Sequence, residues 1–273
     1  TLAWAADAQL QACNLEEAMK LRHRVMELSE FSTTTDPGDN EIRKQYAYAL
    51  TGLARVQTLT GNVAAAVENL ELAVSILQSL VAADPSNLHY REEALYRRTM
   101  LARRLGETGQ LDLALRMLSE IEADFAVIDG LGEQGSVAQD EYIKVLLAYA
   151  EVELRQGQQE RAKEHLRSVI DLQSKNPHAR DIDIFGLQRM VLARYLWWQL
   201  VGENDLGSLS MALPVGQNAS AEFRSCAEAD SAARMYVMDG QREQAEGEVK
   251  YLTDRGYADP SFVRFCKKHG LCS

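Results

Sequence analysis

The sequence predicts an all-α chain of antiparallel helix pairs closed by a C-terminal cap, on three observations. The first is a repeat. Gly61-Asn62-Val63-Ala64-Ala65-Ala66 returns as Gly109-Gln110-Leu111-Asp112-Leu113-Ala114 and as Gly157-Gln158-Gln159-Glu160-Arg161-Ala162, at a constant step of 48. One step earlier stands Cys13-Asn14-Leu15-Glu16-Glu17-Ala18, with Cys in the Gly slot. A fixed period of this size marks a repeat architecture. The second is composition: 5 Pro and only 7% aromatic residues in 273 suit helices better than strands. The third is spacing. Leu50, Leu53, Ala54 and Leu59 recur at helical rather than alternating intervals, as do Ala66, Leu70, Ala73, Val74, Leu77 and Leu80.

Each repeat reads as helix A, a tight turn and helix B. The turn glycine ends helix A through a positive φ, and Asn14, Asn62 and Asp205 are each placed to cap the next helix. In the second repeat, helix A runs from about residue 41 to 60 and helix B from 63 to 82. Ala54, Ala102, Ala150 and Ala66, Ala114, Ala162 are small where two helices must approach closely. The loop Asp84-Pro85-Ser86 matches Asp36-Pro37-Gly38 one period earlier, and proline stops the helix there. The chain divides into repeats over 1–127, a fourth repeat and further helix over 128–201, an irregular linker over 202–219, and a last repeat with its cap over 220–273. In the cap, Phe262, Phe265 and Cys266 share a helical face suited to covering an open core edge.

The small–large pattern Leu53-Ala54, Gly61, Ala66, Leu70, Ala73, repeated by Leu101-Ala102, Gly109, Ala114 and Leu118, resembles the tetratricopeptide repeat family. The period departs from that family's usual 34, through a longer helix B and the Asp-Pro loop. With those loops and the ending Gly256-Tyr257-Ala258-Asp259-Pro260-Ser261-Phe262, the chain is similar to the long-period repeat regions of bacterial receptor-type Ser/Thr kinases and related membrane-anchored regulators. The resemblance implies a right-handed superhelical solenoid. It implies a non-catalytic protein- or peptide-binding module, the sensor or scaffold part of a bacterial signalling protein, lying outside the cytoplasm; a cytoplasmic site is the alternative. A chain opening at Thr1 already in helical pattern reads as part of a longer protein.

Tyr48, Thr51 and Arg55 on one helix A recur as Tyr96, Thr99 and Arg103 on the next. Spacing of three and then four residues puts each trio on one helical face. In the resembled family these offsets line the concave groove, where Arg forks and Tyr hydroxyls would hold a protein or peptide ligand. The competing reading is a duplicated solvated stripe, or Arg55 and Arg103 paired to acidic neighbours. Arg97, Arg98 and Arg104 add positive charge to the same helix.

Other chemistries find little support. Net charge is −11 and pI about 5.0, which excludes an extended basic face for nucleic acid as the main role. No run of 18 apolar residues suggests membrane insertion. No metal motif, phosphate loop or nucleophile elbow stands out, so neither a cofactor nor an enzymatic activity is expected. Cys266, His269 and Cys272 form a partial ligand set better read as structural. Asn218-Ala219-Ser220 matches a glycosylation acceptor and reads as coincidence. Of the four cysteines, Cys226 is expected to pair with Cys266 or Cys272; the alternative is four reduced thiols. Trp197 and Trp198 point to different sides, one to the core and one to a groove or interface. Two further readings remain: a small-molecule sensor, and a homodimer formed through Leu2, Trp4 and Leu10 of the first helix.

Overall fold

The computed structural model describes residues 1–129, 136–175, 184–202 and 225–272. Among them are twelve helices and no strand. They are α1 (Leu2–Gln11), α2 (Leu15–Thr35), α3 (Asn40–Leu59), α4 (Val63–Ala83), α5 (Leu88–Glu107), α6 (Leu111–Asp129), α7 (Ser136–Arg155), α8 (Gln159–Lys175), α9 (Ile184–Val201), α10 (Cys226–Met238), α11 (Arg242–Thr253) and α12 (Pro260–Lys268). The expected linker beyond Gly202 and the capping role for Asp205 lie outside the described residues.

The helix–turn–helix register follows from the 48-residue step. Gly61, Gly109, Gly157 and Gly240 end their helices at φ of 82°, 85°, 76° and 72°. Cys13 holds the same left-handed conformation at φ 56°, the one described non-glycine residue to do so. A Cβ makes that conformation costly, by about 1–2 kcal/mol. Asn62 caps α4 by accepting from the Ala65 N–H, and Asp39 and Asn87 cap α3 and α5 in the same manner. Asn14 does not cap α2; its amide donates instead to Gln9 Oε1 at 2.9 Å.

Residues at equal register have equal fates. Ala6, Ala54, Ala102 and Ala150 are wholly buried on the A helices, and Ala18, Ala66, Ala114 and Ala162 on the B helices. Alanine at these points lets the helices close up, and the buried Leu70, Leu118 and Leu166 fill the groove between them. Each such leucine contributes about 1.5–3 kcal/mol. Counted from Gly240, Ala233, Ala245 and Val249 repeat the scheme in the last pair.

Two compact units emerge. The first holds residues 1–10 and 14–141, the second 11–13 and 142–273, so the division falls inside α7 rather than at residue 127. In the first unit, α2 packs on α3, α3 on α4, α4 on α5 and α5 on α6. One core runs through Tyr46, Leu50, Leu77, Leu80 and Ala94. By length and composition α4 could cross a membrane. Here its apolar stripe is that core, and Glu68 and Glu71 on it are exposed. Leu10 is buried, whereas Leu2 and Trp4 are exposed, as are Leu28 and Phe31 on α2.

The second unit has a core of Leu146, Leu147, Leu166, Val169, Leu192 and Trp197 from α7, α8 and α9. Phe262, Phe265 and Cys266 are buried under the cap as their spacing predicts. Trp197 is buried in the core, while Trp198 is half-buried, stacked on Tyr195 and tilted against His269, with ring centroids 6.2 and 6.1 Å away. At the centre lies Arg234, paired with Asp230 at 2.9 Å and flanked by the rings of Tyr195 and Phe265. Tyr257 donates to Asp230 Oδ2 at 3.4 Å, and the Tyr195 hydroxyl meets His269 Nε2 at 2.8 Å. Burial and the nearby cations Lys268, Arg234 and Arg242 hold His269 below the usual histidine range, and burial pushes Tyr195 up to about 12.

The cysteine pairing differs from expectation. Cys13 bonds Cys226, and Cys266 bonds Cys272. Cys226 opens α10, where the register invites a neighbour from the next helix. The sulfur that reaches it comes instead from a turn 213 residues earlier in sequence. Cys272 falls back on Cys266 because α12 ends at Lys268 and Gly270, at φ 61°, reverses the chain. That bond also removes the Cys266–His269–Cys272 ligand set.

Candidate functional site

The A helices α3 and α5 bring the repeated Tyr and Arg positions together on one face of the first unit. Arg97 is its centre. Its guanidinium lies 4.6 Å from the centroid of the Tyr48 ring and 4.8 Å from that of Tyr96, so it is held between two aromatic faces. Arg97 forms an ion pair with Glu93 one turn back, and its Nε reaches Thr51 Oγ1 at 3.4 Å. The Tyr48 hydroxyl meets His89 Nε2 at 3.2 Å. Burial first, and the Glu93 carboxylate second, push the Tyr48 phenol well above its ordinary range, so it stays a neutral hydroxyl.

Arg55 is half-buried beside Tyr96, Asp7 and Arg22; burial holds its pKa below the usual value. Arg103 is half-buried one period further on. Both keep local interactions, so the face is a network rather than a row of bare cations. Thr51 and Thr99 are not ligand-facing anchors. Both are buried, and their hydroxyls donate to the carbonyls of Ala47 and Leu95 one turn back, at 2.7 and 3.0 Å. Helical threonines meet their own needs in this way. Arg98 and Arg104 are likewise engaged, Arg98 with Glu120 and Asp124 on α6 and Arg104 with Glu107.

One end of this face departs from the repeat. Arg22 occupies the register slot filled by Leu70, Leu118 and Leu166, and is buried there in an ion pair with Asp7 of α1. Gly52 makes the room: a Cβ there would lie 2.5 Å from Arg22 Nη1. Asp7 is half-exposed and stays hydrated without its partner. Arg22→Leu is therefore expected to leave stability unchanged or raise it by about 1 kcal/mol. Urea unfolding checks this, and a loss above that size would mean the pair is a net source of stability.

Sequence reading missed Arg97 as the centre because it has no repeat partner: Ala49 and Val145 stand 48 residues either side. The signal it did offer was position, adjacent to Tyr96 and one turn after Glu93.

The fold and this face define an all-α helical-repeat protein built of antiparallel helix pairs, with a polar, aromatic helix-A surface. No family model matches the sequence. No curated protein matches it either. Among solved structures, the chain is similar to the crystal structure of yeast Tom70, at 13% identity and a TM-score of 0.30 over 93% of this chain. The match spans 59% of that chain's length. The fold assignment rests on the helices and their 48-residue register, not on that likeness.

Proposed function

We propose that the chain is a non-catalytic protein- or peptide-binding module, and that an extended or helical segment of a partner lies across the A helices α3 and α5. One observation carries this reading: Tyr48 and Tyr96, one repeat apart, sandwich Arg97 on a half-buried face where Arg55 also lies. Rigid aromatic surface with preorganised guanidinium donors is the composition that protein interfaces favour. In the fuller form of the proposal, the chain is the sensor or scaffold part of a bacterial signalling protein outside the cytoplasm. Two disulfides among four cysteines support an oxidising compartment.

The test is capture from native lysate on wild-type chain and on an Arg55→Glu/Arg103→Glu variant, with mass spectrometry of what is held. A protein retained by wild type and lost by a variant with unchanged circular dichroism and melting supports the proposal. Equal recovery on both removes the helix-A face from it. Self-association is the second reading, favoured by Trp4 and Phe31 at 79% and 70% exposure on the first helix pair. A monomeric mass in light scattering would remove it.

A further inference from the structure

A cavity of about 350 Å³ lies among α4, α5 and α6 of the first unit, and neither Arg97 nor Tyr48 nor Tyr96 lines it. That size falls in the range of small-molecule sites, about 300–1,000 Å³. Val81 of α4 and the buried Ala94 and Leu95 of α5 form its apolar lining, and Gln78 adds an amide. Two arginines line it. Arg98 is fixed by Glu120 at 3.0 Å and Asp124 at 2.5 Å, so its charge is neutralised on the spot. Arg91 is half-buried, and its guanidinium has no hydrogen-bond or ion-pair partner among the described residues.

The repeat explains why Arg91 is left over. Its counterpart one period earlier, Arg43, donates to Asn40 Oδ1 at 3.2 Å and to Ser79 Oγ at 2.5 Å. The residues 48 positions after those acceptors are Leu88 and Val127, whose side chains accept nothing. The third repeat keeps the cation and lacks both acceptors, beside this cavity.

We propose that this cavity binds a small organic monocarboxylate through the Arg91 guanidinium. Two parallel N–H groups of Arg91 donate to the two carboxylate oxygens. A short apolar body lies against Val81, Ala94 and Leu95. Asp124 beside the site disfavours a doubly charged anion such as phosphate, because like charge repels across a partly desolvated space. This site does not depend on the peptide-binding face.

Titrating the full chain with butyrate, and watching its methyl resonances by NMR, tests the proposal. The expected result is saturable shifts of the Val81 and Leu95 methyls, weakened about tenfold by Arg91→Gln. n-Butanol, the uncharged isostere, is expected to produce much smaller shifts, and inorganic phosphate none at these methyls. Arg91→Gln should fold normally, since no partner among the described residues is lost. No saturable shift with butyrate overturns the proposal. So does equal binding of butanol, or binding undiminished in Arg91→Gln.

Discussion

Replacing Arg234 by Met is expected to unfold the second unit at temperatures where the parent chain is intact. Arg234 and Asp230 are 2% and 3% exposed, and removing one member leaves the other charge buried without compensation. The expected loss is about 3–5 kcal/mol. The arginine also lies between the rings of Tyr195 and Phe265 at 5.1 and 4.9 Å, and reaches Ser261 Oγ at 3.4 Å. It therefore holds α12 as well as α10. Arg234→Lys should recover little of the loss, because an ammonium cannot reproduce the planar fork. Taking both charges out of water offsets much of their attraction, so an apolar pair of similar volume is a fair substitute. An Asp230→Leu/Arg234→Met double variant should accordingly unfold with a smaller loss than Arg234→Met alone. Denaturant unfolding followed by Trp197 and Trp198 fluorescence reads all three. A single-variant loss below about 1 kcal/mol would show that the charge is solvated rather than buried.

Opening the Cys13–Cys226 bond is expected to have an effect of similar size. Chain-entropy arguments give about 5 kcal/mol for a loop of this length and about 2 kcal/mol for the short Cys266–Cys272 loop, with measured values falling at or below such figures. The position of Cys13 adds a discriminating comparison. It takes a left-handed conformation that its counterparts leave to glycine. Cys13→Gly/Cys226→Ala should therefore be more stable than Cys13→Ala/Cys226→Ala by about 1 kcal/mol, since glycine alone enters that region without penalty. Peptide mapping without reductant should find Cys13 joined to Cys226. Finding Cys226 joined to Cys272 would restore the pairing expected from sequence and cancel this prediction.

The legible part of the sequence is the part that repeats. Gly61, Gly109 and Gly157, and the alanines 48 residues apart, report a backbone solution used again and again, so one period fixes helix, turn and core together. Features that occur once were harder to read. Cys13 in a glycine slot was visible, but its partner depends on tertiary approach and not on spacing. Arg22 in a leucine slot was equally visible, and only Gly52 explains how it fits. Asp230 and Arg234 stand four residues apart like many solvated pairs, and nothing local distinguishes a buried one. Tyr48, Tyr96 and Arg55 were found through the period. Thr51 and Thr99 recur in the same way, yet their hydroxyls serve the helix's own carbonyls, a role the period alone does not distinguish.

Partners are proposed to meet the A helices of the first unit. Photo-crosslinking tests this even while the partner is unidentified. Benzoylphenylalanine would replace Tyr48 or Tyr96 on the A helices, or, as controls, Leu72 on α4 or Leu113 on α6, which are exposed on the B helices. Protein adducts are expected from positions 48 and 96 and none from 72 and 113. Adducts confined to 72 and 113 would place the binding surface on the B helices and contradict the proposal.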